Sequence, residues 1–252
     1  MTQIAPNARI IVVGGHTRSI GKTQLVCDII SALPEANWIA GKITQYGHGV
    51  CTQNGHDCDC APDEHICAID WEHDAHTGTD SSRFLAAGAL GSFWLRTKQG
   101  FLAEGMPLLR SALDEVARKQ QPRVDSVGSR HAVPSSPPAP INVILESNTL
   151  LQFLKPDLFL MVLHPAKSDF KDSAKLQLNH ATAFVLREPI PSNPTATTNG
   201  DDTTPSWQNI PLQLLRTKPN FLHIENSPLP VPLLELVRNL VCTQPKVPGI
   251  NG

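Results

Sequence analysis

The chain has 252 residues, 40% of them hydrophobic, and a formal net charge of −2. That length supports one substantial core, and the near-neutral balance argues against a nucleic-acid binder, which usually carries a basic excess. No apolar run reaches the length of a membrane span, and Ile10 to Val13 is too short for a signal-peptide core, so a cytoplasmic protein without structural disulfides is expected.

The predicted elements alternate between strands and helices. Ile10 to Val13 is a short apolar run suited to a strand buried on both faces. Residues 23–33 place Leu25, Val26, Ile29, Ile30 and Leu33 at helical spacing, and residues 38–43 read as a second strand. Residues 45–79 are rich in Cys, His, Asp and Gly without useful periodicity, and are read as a long functional loop or insert. A helix over 81–90, a strand over 92–96 and a helix over 107–119 follow. Residues 141–145 and 158–163 form two buried strands, 170–178 a helix and 183–186 a short strand. Residues 232–241 close the chain as an amphipathic helix with Pro in its first turn. Residues 121–140 and 189–208 collect Pro, Ser and Gly and are expected to be flexible loops. The expected fold class is α/β: one domain over 1–252, a mostly parallel sheet with helices on both faces.

The chemistry concentrates after the first strand. Gly15-His16-Thr17-Arg18-Ser19-Ile20-Gly21-Lys22-Thr23 joins a buried strand to a helix and ends in Gly-Lys-Thr. That context suits a P-loop: glycines let the backbone approach phosphate oxygens, and the helix N-terminus adds positive potential. Residues 15–23 are the expected nucleotide cradle. Lys22 would neutralise the β- and γ-phosphates and the Thr23 hydroxyl would hold Mg²⁺. The alternative is a glycine-rich turn with no ligand. Five residues separate Gly15 from Gly21, rather than the usual four.

This gap is similar to that of dethiobiotin synthetases, whose loop also ends in Gly-Lys-Thr. Lys42, in Gly41-Lys42-Ile43-Thr44, resembles a lysine that dethiobiotin synthetases and the molybdopterin-guanine dinucleotide biosynthesis adaptor MobB carry at their second strand. Asp80-Ser81-Ser82-Arg83, followed by Ala86-Ala87-Gly88-Ala89, resembles the stretch after that strand in the MobB family. Leu145-Glu146-Ser147-Asn148 occupies the place of their apolar strand ending in an acid. The resemblance implies a P-loop NTPase of this branch, binding ATP or GTP with Mg²⁺ and linked to cofactor biosynthesis. Two departures stand out: Glu146-Ser147-Asn148 replaces Glu-Gly, and Arg187-Glu188 stands where such proteins often place Asn to read the base.

Around the phosphates, Glu146 is expected to order Mg²⁺ or else to pair with a lysine as a strand-end acid. Lys42 would pair with Glu146 or reach a phosphate or a substrate carboxylate, unless it is simply solvated. Lys22, Lys42 and Glu146 are the expected catalytic groups, and Thr23 and Glu146 the magnesium ligands. Lys167 and Lys171 are candidate anion binders or exposed lysines. Asp80 and Arg83 are substrate contacts, or a helix cap and an exposed arginine.

The insert carries Cys51, Cys58, Cys60 and Cys67, with His48, His56, His65, His73 and His76 within or beside it. Three readings stay open: four-thiolate binding of Zn²⁺ or an iron–sulfur cluster, redox-active thiols, or a loop with no ligand. Cys27 reads as core. The leading function is a Mg²⁺-dependent protein that hydrolyses or transfers the terminal phosphate, as an NTPase or an ATP-dependent ligase or phosphotransferase. The rival is a metal- or cluster-carrying adaptor that uses nucleotide as a switch. The expected partners are a nucleotide and a small-molecule substrate or partner enzyme, with a homodimer left open and neither nucleic acid nor membrane.

Overall fold

The computed structural model describes residues 8–47, 65–119, 141–187 and 212–242. In chain order the elements are β1 (Arg9–Gly15), α1 (Lys22–Ala32), β2 (Trp38–Tyr46), β3 (Cys67–Trp71), α2 (Asp80–Ala86), β4 (Gly91–Lys98), α3 (Leu102–Lys119) and β5 (Asn142–Glu146). There follow β6 (Leu158–Leu163), α4 (Asp172–Lys175), β7 (Ala183–Leu186), α5 (Leu212–Thr217), β8 (Asn220–Leu222) and α6 (Val231–Val241).

The strands form one eight-stranded sheet in the order β3-β4-β2-β5-β1-β6-β7-β8. Every pairing is parallel except β3 with β4. Successive residues of a strand point to opposite faces, so each central strand feeds two cores. Ile11 and Val13 face α1, α2 and α6 through Leu25, Ile29, Ile30, Phe84, Leu233 and Val237. Ile10 and Val12 face α3, α4 and α5 through Leu102, Met106, Leu109, Ala174 and Leu215. This explains the unbroken apolar runs in β1 and β6: a strand covered on both faces has no polar side. Each fully buried Leu or Ile of α1 contributes roughly 1.5–3 kcal/mol relative to exposure.

The order also places the site. From β1 the chain crosses to β2, then returns to lay β5 between them, and continues on the other side through β6, β7 and β8. The strand ends next to β1 therefore open a crevice at the carboxyl edge of the sheet.

Several expected elements differ. Residues 45–79 were expected to lack regular structure, but β2 runs to Tyr46 and β3 pairs antiparallel with β4. Ile69 and Trp71 of β3 pack against the core, while Asp70 is exposed and pairs with Arg96 at 2.6 Å. Helix α3 begins at Leu102, five residues before Pro107, because Leu102 and Met106 face the sheet. The helix expected over 170–178 shrinks to α4 and a 3-10 turn at Leu178–His180. The loops expected at 121–140 and 189–208 lie outside the described residues. No helix among the described residues is long and apolar enough to cross a membrane.

Candidate phosphate-binding site

The loop after β1 is pinned from several sides. The Asn148 side chain accepts from Gly15 N at 2.7 Å and donates to Gly15 O at 2.8 Å, gripping both polar groups of one residue. A larger residue there would push its neighbours aside: a Cβ on Gly15 would lie 2.7 Å from Ile20 Cδ1 and 2.9 Å from Lys22 Cδ. The His16 ring is fully buried and stands 5.0 Å from the Phe170 ring. Burial pulls its pKa down to about 4, against the Val162 and Lys167 backbone groups, so the ring is neutral at neutral pH. Lys171 N donates to His16 O at 3.0 Å, and the Thr17 hydroxyl donates to Asp169. The segment after β6 thus braces the loop after β1 along its near half.

Ser19 turns the tip with φ 49, and Ile20 returns to the core. Gly21 caps α1 with φ 84, a left-handed conformation that favours glycine. Lys22 is the first residue of α1, and its ammonium crosses the loop to donate to Thr17 O at 2.7 Å. Burial lowers the Lys22 pKa to about 8; Glu146 opposes that shift and Lys42 adds to it.

Strand register supplies the carboxylate. Glu146 ends β5 and pairs in register with Val13 of β1 on one side and Lys42 of β2 on the other. Its Oε2 accepts from the Thr23 hydroxyl at 2.7 Å and its Oε1 from Lys42 Nζ at 3.3 Å. Lys42 also pairs with Asp80. Burial works against the Lys42 ammonium, but the Glu146 and Asp80 carboxylates outweigh it and hold the pKa above the usual lysine value. Asp80 opens α2, whose cap is Thr79 accepting from Ser82 N at 3.1 Å. Arg83 reaches Gln24 Oε1 at 2.7 Å and Asp80 at 3.6 Å. The Thr23 hydroxyl and the Glu146 carboxylate are hard oxygen donors side by side, a pair that suits Mg²⁺.

Sequence-expected residues therefore converge: Lys22, Thr23, Lys42, Asp80 and Glu146 meet at the carboxyl edge, and Lys171 lies against the loop. Lys167 is exposed. Sequence reading missed two supports. One is Glu72, whose Oε2 accepts from the hydroxyls of Thr79 at 2.9 Å and Ser81 at 3.1 Å, fixing the entry to α2. The other is His223, which holds Arg187 from 36 residues away. Neither sits in a motif; the only sequence signal was the run of hydroxyls around Asp80.

Cys51, Cys58 and Cys60 lie outside the described residues, as do His48 and His56. Cys67 opens β3, its thiol 3.7 Å from Glu104 O. It lines an open groove of about 680 Å³ between β3 and α3, with Ile69, Pro107 and Leu108. β4, β2 and β5 separate that groove from β1. His73 and His76 are exposed. Among the described residues no cluster of three or more His, Cys, Asp or Glu is arranged to hold a metal. Cys27 is buried as expected, and burial raises its pKa to about 11.

Strand, loop and helix, with the Thr23–Glu146 pair beneath them, make an α/β sheet protein whose glycine-bearing loop joins β1 to the N-terminus of α1. No family model matches the chain, and no curated protein does. Among solved structures it is similar to the "apo" form of LpxK from Aquifex aeolicus in complex with ATP, with a TM-score of 0.39 and 14% identity. The match covers 86% of this chain and 54% of that one, so this chain spans about half of that protein's length.

Proposed function

We propose that the chain binds ATP or GTP with Mg²⁺ and hydrolyses or transfers the terminal phosphate. The best-fitting setting is cofactor biosynthesis in the dethiobiotin synthetase/MobB branch of P-loop proteins. One observation carries this reading. Glu146 lies in register between β1 and Lys42, and takes the hydroxyl of Thr23 at 2.7 Å directly below the Gly-rich loop.

The roles follow from charge and position. The backbone amides of residues 15–21 and the N-terminus of α1 would cradle the phosphates. Lys22 would leave Thr17 O and neutralise the β- and γ-oxygens. Thr23 and Glu146 would hold Mg²⁺, which supplies charge neutralisation on the leaving phosphate oxygens. Lys42, already balanced by Glu146 and Asp80, keeps its proton and offers a cation to the terminal phosphate or to an anionic group on a second substrate. Catalysis would consist of positioning and charge neutralisation.

Replacing Glu146 by Gln keeps the side chain's shape and removes its charge. Steady-state phosphate release should then fall by at least about tenfold, while nucleotide affinity changes much less, as when a transition-state interaction is lost. Equal phosphate release by wild type and Glu146→Gln would make Glu146 a structural residue.

A further inference from the structure

Arg187 is a buried cation placed on the positive end of a helix. It follows β7, and its amide donates to Leu163 O at 2.9 Å, at the end of β6. From there the guanidinium crosses to the phosphate loop. A Cβ on Gly21 would lie 2.3 Å from Arg187 Nη2 and 2.6 Å from Nε, so that edge of the guanidinium lies against the cap of α1. The residue is 6% exposed.

The other edge is occupied. Nη1 lies 2.6 Å from His223 Nδ1 and donates to His223 O at 3.2 Å. A guanidinium only donates, so Nδ1 must carry the lone pair and the His223 proton sits on Nε2. That nitrogen faces Ser227 O at 3.2 Å and Asp28 Oδ2 at 3.4 Å. Burial and the neighbouring Arg187 both lower the His223 pKa, in keeping with a neutral ring. His223 is therefore a built support that aims the guanidinium.

The arrangement gathers positive charge. The unpaired amides of the first turn of α1 are positive, and Lys22 begins the same turn. Among the described residues no carboxylate bonds the guanidinium; Asp28 and Glu225 act on it only at longer range. Burying a cation at a helix N-terminus is costly unless an anion joins it, and the carboxylates that favour the Arg187 charge act without bonding it. The Nε–Nη2 edge is a fork of the kind that matches two phosphate oxygens, and it must turn off Gly21, against which it now packs, to present itself to them.

Resting on the nucleotide reading above, we propose that Arg187 is a ligand for the inner phosphates of the bound nucleotide, aimed by His223, and not a reader of the base. Lys22, Thr23 and Glu146 then serve the β- and γ-phosphates from one side of the loop, and Arg187 joins them on the inner phosphates from the Gly21 side. Recognition by this residue ignores whether the base is adenine or guanine.

The test is calorimetric titration of the full chain with ADP, GDP and pyrophosphate, for wild type, Arg187→Met and Arg187→Lys. Arg187→Met should weaken ADP and GDP alike, by about tenfold or more, as expected for a lost charge-assisted contact. Pyrophosphate, which has no base, should weaken in parallel. Arg187→Lys keeps the charge without the fork and should fall between the two. His223→Phe should shift affinity in the same direction as Arg187→Met, with a melting curve confirming the fold. A changed ADP-to-GDP ratio with unchanged pyrophosphate binding would make Arg187 a base reader and overturn the proposal. Unchanged affinity for all three probes would overturn it too. Wild-type protein that binds none of them would refute the nucleotide reading itself, before any variant is compared.

Discussion

Lys22 is the residue whose surroundings say most about its task. Burial lowers its pKa to about 8, while Glu146 pulls the other way. A phosphate placed in the loop would favour the charged ammonium and raise that pKa again. The bound state then holds more protons than the free state at pH values above about 8, so affinity must fall as pH rises through that value. The slope should approach about tenfold per pH unit above 8. Titrations at about pH 8.5 in buffers of different ionisation enthalpy should show net proton uptake on binding. Lys22→Arg, whose side chain keeps its proton, should bind without that uptake; uptake of the same size in the variant would assign the proton elsewhere. Lys22, Thr23 and Glu146 were legible in the sequence because each stands at a strand or helix end that apolar runs announce; Lys42 was legible as a residue of the second strand, but it stands mid-strand in β2 and not at the end the sequence suggested. His223 was not. Its partner is Arg187, and nothing in a linear pattern links positions that only adjacent strands β7 and β8 bring together.

At the scale of elements, the loop after β1 is held by its neighbours more than by itself. Asn148, just beyond β5, binds both the amide and the carbonyl of Gly15. Asn148→Ala removes both bonds and leaves two partly buried polar groups to find other partners, a loss of about 1–3 kcal/mol in stability. Because the released residue opens the loop, nucleotide affinity should fall as well. Asn148→Asp keeps the acceptor for Gly15 N but sets a carboxylate oxygen against Gly15 O and brings negative charge to the phosphate site, so it should bind nucleotide more weakly than Asn148→Ala. Melting curves with calorimetry check both; wild-type affinity in Asn148→Ala would show that the loop holds its shape without this clamp. Central strands were legible because burial on both faces leaves an unbroken apolar run. β3 was missed because its alternation spans only five residues in a segment dominated by Cys, His and Asp. β8 spans three residues, too few for any period to show.

For the whole molecule, the sheet order explains why residues far apart in sequence share one edge. Val13, Glu146 and Lys42 are neighbours in register although they come from the first, fifth and second strands. Helices cover both faces, as the alternating pattern implied, and leave the carboxyl edge for loops. Adenine or guanine preference was not legible, since Arg187-Glu188 stands where the resemblance led us to expect Asn; in the structure Arg187 bonds His223 and packs against Gly21. The most direct measurement is titration of the intact chain with Mg²⁺–ATP and Mg²⁺–GTP, alongside Lys22→Ala with its fold confirmed by melting. At least one nucleotide should bind to wild type in a one-to-one ratio, and Lys22→Ala should lose that binding because the phosphates lose their main side-chain counter-charge. Equal affinity in wild type and the folded variant, or no binding of either nucleotide to wild type, would contradict a phosphate-binding role for this loop.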